Sequence, residues 1–369
     1  MSQRDRQHIQ VLVVGASVAG CATAWMLADT GLSVTLVEKL SRESPFDYFG
    51  ESLPPKCLLD LRRLDLHEAE ELFGCRTYSV QSAWGSNTVT ARSFAATVPG
   101  HGLHIDKERL VRLLRDRIEA NGMKIHFGHR LCIERTNSDG SHLVSMSTSD
   151  TKIEAVARIL VDASGRTRAV ARQYTDILHF DRLIATASRG QAMACPPSNL
   201  SPSASFTEAV SNGWWYSASL HHGQRIAIRF SDNHEEITQR LRNRSQFWDE
   251  LRQTRWTSKF FADADQESTI DIRSAATTSL RQFAGPGWVA VGDAARTVDP
   301  LSSQGIHNGI RDGIRVAEAI CACGADPEGM VALRNYLKGS QEAYFRQRSA
   351  IYRLETRWPH ESFWKLRKD

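Results

Sequence analysis

"VLVVGASVAGCATAWML" occupies residues 11–27 and consists of apolar and small residues apart from Ser17 and Thr23; the basic stretch "MSQRDRQ" precedes it. Three readings compete: a signal peptide, a membrane span, or the first turn of a nucleotide-binding domain. The run stops at 17 residues and Asp29 follows closely, short of the roughly 20 apolar residues that a membrane helix needs. "IQVLVVG" has the Val/Leu density of a strand buried on both faces. "SVAGCATAWMLADTG" reads as an Ala-rich helix with Gly31 as its stop. "LSVTLVEK" is a second β-rich run ending in Glu38, 23 residues after Gly15, near the spacing that sets a carboxylate on an adenosine ribose. A signal peptide requires neither of the last two features.

Gly15 and Gly20 bracket G-x-S-x-x-G, one residue away from the dinucleotide fingerprint, with Ser17 at the second glycine position. A tight strand-to-helix turn of this kind aims free N–H groups and the positive helix end at a pyrophosphate. Ser17, Val18 and Ala19 therefore join the two glycines as candidate cofactor contacts, with Glu38 and the adjacent Lys39 at the ribose.

The rest of the composition is that of an ordinary globular protein. The chain has 369 residues, 41% hydrophobic and 24% charged, with a net charge of +4, too mild to argue for nucleic acid. The expectation is a protein of the cytoplasm, with no membrane and no metal. Seven cysteines stand at irregular spacing, and Cys321-x-Cys323 lacks the second half of a zinc site; all seven are read as reduced thiols. "RLRNRSQFWDELRQTRW" (240–256) reads either as a solvated amphipathic face or as a docking face for an acidic partner.

Two later segments carry a family resemblance. "GWVAVGDAARTVDPLSSQGIHNGIRDGIRVAEAI" (287–320) contains a strand, a turn holding Gly292 and Asp293, then Pro300 and Gly305 before a helix. It resembles the second FAD motif of flavoprotein monooxygenases with the hydroxybenzoate-hydroxylase fold. The resemblance implies that Asp293 binds the flavin ribityl chain, that Pro300 sits beside the reactive flavin edge, and that the amides of Gly305 and Ile306 face the pyrimidine end of the ring. Ser303 and His307 stand where the commoner motif has Gly and Asn. "ILVDASGRTRAVAR" (159–172) sits where the family has Asp-Gly, here Ser164-Gly165. That substitution implies poor direct reduction by NAD(P)H and points to a separate flavin reductase. In "HIDKERLVRLLRDRIEANG" (104–122) Lys107 occupies the position of a cofactor-reaching Arg, with Arg109 as the substitute.

The fold class expected is α/β. A discontinuous Rossmann-like FAD-binding domain of glutathione-reductase type covers 1–75, 101–178 and 281–328. An antiparallel substrate sheet covers 76–100 and 179–280, and C-terminal helices cover 329–369. "GWWYSASL" (213–220) supplies Trp214, Trp215 and Tyr216, either as core of that sheet or as an aromatic wall of the substrate site.

"GESLPPKCLLDLRRLDL" (50–66) resembles the corresponding segment of flavin-dependent tryptophan halogenases, but the lysine those enzymes need and their W-x-W-x-I-P signature are absent. The set "GESLPP", "GWWYS", "DPLSSQGI" and "RWPHESFW" resembles the LodB/GoxB-like accessory flavoproteins of cysteine-tryptophylquinone amino-acid oxidases. That resemblance implies FAD as cofactor, the precursor of a quinone-dependent amino-acid oxidase as partner, and hydroxylation of a tryptophan in it. Alternatives are an FAD-dependent monooxygenase or halogenase-like enzyme acting on a small aromatic metabolite, and a flavin-bearing maturation chaperone. His307 is the expected base, with His104, His221 and His222 as competitors. Trp358 and Trp364 are exposed-tail, interface or helix-anchor candidates.

Overall fold

The structure is a computed structural model and describes residues 6–44, 51–67, 74–220, 223–264, 268–324 and 327–368. His221, His222 and Gly50 lie outside the described residues.

The strand Gln7–Val14 sits at the centre of the first sheet. It pairs in parallel with Val34–Glu38 on one side and Lys152–Asp162 on the other. Lys124–Phe127 and Trp288–Ala290 extend the parallel order outward on the two sides. Residues 11–13 are fully buried, as a central parallel strand covered on both faces requires. The chain leaves this strand at Gly15, whose φ of +105° suits glycine, and enters the helix Val18–Met26.

That helix packs against the long helix Gly305–Cys323. The contact is close because small residues meet there: a Cβ on Gly313 would lie 2.7 Å from the Ala19 carbonyl oxygen. The second FAD-like segment is thereby pressed against the first turn of the chain, although nearly 300 residues separate them.

A second sheet is formed mainly by antiparallel strands between residues 183 and 274, with the hairpin Ser79–Ala83 and Thr90–Ser93 added through a parallel pairing of Ser79–Ala83 with Ser205–Val210. In the strand Gly213–Ser219 the side chains alternate. Trp214 packs with Phe230 and Tyr352, while Trp215 packs on the opposite face with Phe247 and Leu241. The helices Glu235–Arg242 and Arg244–Arg252 back that opposite face. Here Arg240 pairs with Glu250 and Arg252 with Asp249, so two of the five arginines of the stretch 240–256 meet acids within it. The C-terminal helices Pro327–Arg353 and Ser362–Lys368 close the molecule beside Trp84 and Trp214. Trp364 is fully buried and stacks with Trp358, so it is a helix anchor and not an exposed tail.

No helix among the described residues is long and apolar enough to cross a membrane, and none of their His, Cys, Asp and Glu side chains form a group that could hold a metal ion. Cys21 and Cys57 are buried, and the other five cysteines are exposed. Burial pushes the Cys21 thiol up to about 12 and raises that of Cys57 as well, so both stay protonated and inert. A thiol reagent at pH 8 is expected to titrate five cysteines quickly and two only after denaturation; seven fast thiols would contradict this packing.

Candidate active site

The phosphate-type turn is built as the sequence suggests, with one difference at Glu38. Ser17 is the N-cap of the first helix, yet its side chain makes no capping bond, so the amides of Val18, Ala19 and Gly20 remain for a ligand. A Cβ at Gly15 would lie 2.5 Å from the Ala163 oxygen, and one at Gly20 would lie 1.9 Å from the Gly15 oxygen; only glycine fits either position. The Glu38 carboxylate accepts from the Ala16 amide (2.9 Å) and the Leu40 amide (3.0 Å). Arg115 donates to the Ala16 carbonyl oxygen (2.7 Å) and stands 3.5 Å from Glu38. Glu38 thus braces the turn from inside. Lys39 contacts Thr167 at 3.4 Å.

Asp162, which sequence reasoning passed over, organises the next turn. Fully buried, it accepts from the amides of Ser164, Val170 and Ala171 and from the Ser164 hydroxyl. Ser164 also accepts from the Ala169 amide at 2.7 Å. The Ser164 side chain is therefore engaged within this loop, and it is Arg166, two residues on from Ser164 and just past Gly165, that reaches the neighbouring cavity. Arg168 donates to the Ala294 carbonyl, fixing the short turn Gly292–Ala294 that presents Asp293.

Asp299, fully buried, shapes the segment before the long helix. It accepts from Leu301 N and from the Tyr352 hydroxyl (2.7 Å). Ser303 adopts φ +49°, a left-handed conformation that explains the glycine of the commoner motif. Gln304 caps the helix without a side-chain bond, leaving its first amides open beside Gly305 and Ile306.

Two cavities meet at this segment. The first, of about 460 Å3, is lined by Lys107, Arg166, Arg273, Asp293, Gly305 and Ile306 among others. The second, of about 390 Å3, lies toward the hairpin and the C-terminal helix and is lined by residues including Val80, Trp84, Phe94, Thr207 and Leu354. Ser52, Trp214, Tyr216, Pro300 and Ser303 belong to both walls.

Several expected site residues fall elsewhere. His307 lies on the opposite side of its helix from the cavities, where Nε2 meets Asp60 at 2.9 Å on the neighbouring helix Pro55–Arg63; it lines neither cavity. This corrects the expectation of a base at that position, because a residue two past Gly305 is rotated about 200° around the helix. Trp215 is corrected in the same way: the strand's alternation turns it away from Trp214 and Tyr216. Arg109 is exposed and pairs with Asp106 at 3.4 Å, whereas Lys107 lines the cavity. Ser52 and His104 gain a role that sequence spacing alone could not give: the Ser52 hydroxyl lies 2.6 Å from the Tyr216 hydroxyl and 2.7 Å from His104 Nδ1.

These residues fit FAD. Two helix N-termini have no capping side chain, glycine is enforced at the first turn, and the exposed Asp293 carboxylate faces the larger cavity. The FAD binding domain family profile matches residues 8–336, and the chain belongs to that family: it is an FAD-dependent oxidoreductase. Among curated relatives, the tryptophan 2-halogenase of Chondromyces crocatus is 26% identical over 91% of this chain, which spans only 65% of that protein's length. The FAD-dependent oxidoreductase LodB of Marinomonas mediterranea is 25% identical over 98% of this chain and 97% of its own. The solved structure of QhpG, titled a peptidyl tryptophan dihydroxylase essential for tryptophylquinone cofactor biogenesis, superposes with a TM-score of 0.76 at 21% identity, over 98% of this chain and 79% of that one.

Proposed function

We propose that the protein is an FAD-dependent monooxygenase that hydroxylates a tryptophan residue in a partner protein, the precursor of a quinone-dependent amino-acid oxidase. The observation that carries this reading is the pair of cavities that share Trp214, Tyr216, Pro300 and Ser303, with the expected flavin-binding residues Asp293, Gly305 and Ile306 on one side and, on the other, a chamber of mixed apolar and polar lining that contains Trp84 and Phe94. The near end-to-end match to LodB supports it, as does the likeness to QhpG.

When bound and reduced, FAD activates dioxygen for transfer of one oxygen atom to an electron-rich ring. Gly15, Val18, Ala19 and Gly20 would hold its pyrophosphate, Glu38 its adenosine ribose and Asp293 its ribityl chain. Lys107 and Arg166 add positive charge on the same side. The Gly305 helix end favours negative charge on the ring by about 0.3–1 kcal/mol. The second cavity lies within the size range of small-ligand sites, and Trp214, Trp84 and Phe94 give an indole ring apolar and aromatic neighbours that exclude water. Its mouth bears Leu354, 65% exposed, which suits a side chain delivered from a larger body.

The reductant is a separate flavin reductase. With a serine in place of the family's acid at position 164, and that serine engaged by Asp162 and Ala169, anaerobic mixing with NADPH is expected to bleach the flavin only over minutes. Bleaching within seconds would contradict this. The function itself is tested by co-expressing a candidate precursor oxidase with and without this protein and weighing its tryptophan-containing peptides. Added oxygen that depends on this protein is expected; identical masses would refute the proposal.

A further inference from the structure

The hairpin of the second sheet leaves an open edge beside the second cavity. Among the described residues, Thr90–Ser93 pairs only with Ser79–Ala83 and ends the sheet; all four of its residues are exposed. The register fixes which backbone groups face outward. The Phe94 amide donates to the Tyr78 carbonyl oxygen at 2.9 Å, and along an antiparallel pair hydrogen-bonded and non-hydrogen-bonded positions alternate. Arg92 and Thr90 therefore bond back to Val80 and Ser82, and the Thr90 hydroxyl also donates to the Ser82 carbonyl at 3.2 Å. The N–H and C=O groups of Ala91 and Ser93 point away from the sheet. Neither a bulge nor a proline blunts this edge, and the two residues whose backbone is turned outward are small.

The side chains of the edge strand run into the chamber. Thr90, Ser82, Thr207 and Tyr216 stand opposite one another on four successive strands and form one lateral row, with Arg92 and Val80 in the next. All of them line the second cavity. The Arg92 guanidinium lies 5.9 Å from the Phe94 ring and meets no carboxylate among the described residues. A strand added beyond Thr90–Ser93, about 4.8 Å further out, would extend both rows and place alternate side chains on the chamber face.

We propose that this edge captures an extended segment of the partner polypeptide as an added strand, with an acidic side chain opposite Arg92, and so leads the partner's chain into the chamber. This rests on reading the substrate as a protein. The outward groups of Ala91 and Ser93 supply main-chain hydrogen bonds that any extended chain can complete, and Arg92 supplies the preference for an acid. A free amino acid has no strand to offer this edge.

The test uses the FAD-loaded protein with an unmodified precursor oxidase as probe, following affinity by surface plasmon resonance and backbone protection by hydrogen exchange. Binding should slow exchange at the Ala91 and Ser93 amides. Ala91→Pro removes one outward N–H without touching the ladder to Ser79–Ala83, and its ring obstructs an added strand; Arg92→Glu reverses the charge. Each should weaken binding about tenfold or more, while FAD affinity and the melting temperature stay at wild-type values. No binding by the wild type, or wild-type affinity in either folded variant, would overturn the proposal. The two readings fail separately. A precursor that binds through this edge yet gains no oxygen refutes the hydroxylation and leaves the edge standing, whereas a precursor oxidised equally by the wild type and both variants refutes the edge alone.

Discussion

Asp293→Ala is expected to weaken FAD binding about 10- to 150-fold, the equivalent of losing a charge-assisted hydrogen bond of about 1.5–3 kcal/mol. The side chain is presented by the Gly292–Ala294 turn, which Arg168 holds in place through the Ala294 carbonyl rather than through Asp293 itself. Because Asp293 is exposed, its removal should leave the fold intact, and the melting temperature of the flavin-free variant should match that of the flavin-free wild type. Equilibrium dialysis or fluorescence titration with FAD measures the effect. Wild-type affinity in the variant would remove Asp293 from the cofactor site.

Trp364→Ala is expected to lower the free energy of unfolding by about 3–5 kcal/mol, as for other large-to-small replacements of buried aromatics. The ring is fully buried, and its Nε1 donates to the carbonyls of Val210 (3.1 Å) and Ser211 (2.9 Å). It packs edge-on against Trp84 with ring centroids 5.3 Å apart. Trp84 lines the second cavity and donates to the Ile351 carbonyl at 2.9 Å. The last helix therefore props the chamber wall from behind, and the variant should also bind ring compounds less tightly. Denaturant unfolding is the check: a loss under about 1 kcal/mol would mean that this helix contributes little to the fold.

The parts of the fold that were legible in the sequence were those whose signal is local. The Gly15 turn joins a strand to a helix within a dozen residues, and its pattern is written in two nearby glycines, Gly15 and Gly20, and a carboxylate one strand further on. The Asp293 and Pro300–Gly305 segment is likewise short. The second cavity was not legible, because Ser52, Tyr216 and Pro300 meet only through tertiary contacts between three distant segments. Two errors had a signal that was available but unused. Strand alternation separates Trp214 and Tyr216 from Trp215, and helical geometry turns His307 away from the face of Gly305. Asp162 and Asp299 escaped notice for another reason: each acts on its own turn through backbone amides, a role that residue type alone does not distinguish from a solvated acid.

The central claim, oxygen transfer to a tryptophan within a partner protein, is tested most directly with reduced, FAD-loaded protein and 18O-labelled dioxygen, supplied with free tryptophan and an unmodified precursor oxidase together. The account predicts 18O on a tryptophan of the precursor and little or none on the free amino acid. Label on free tryptophan with none on the precursor would contradict it and assign the site to a small aromatic metabolite.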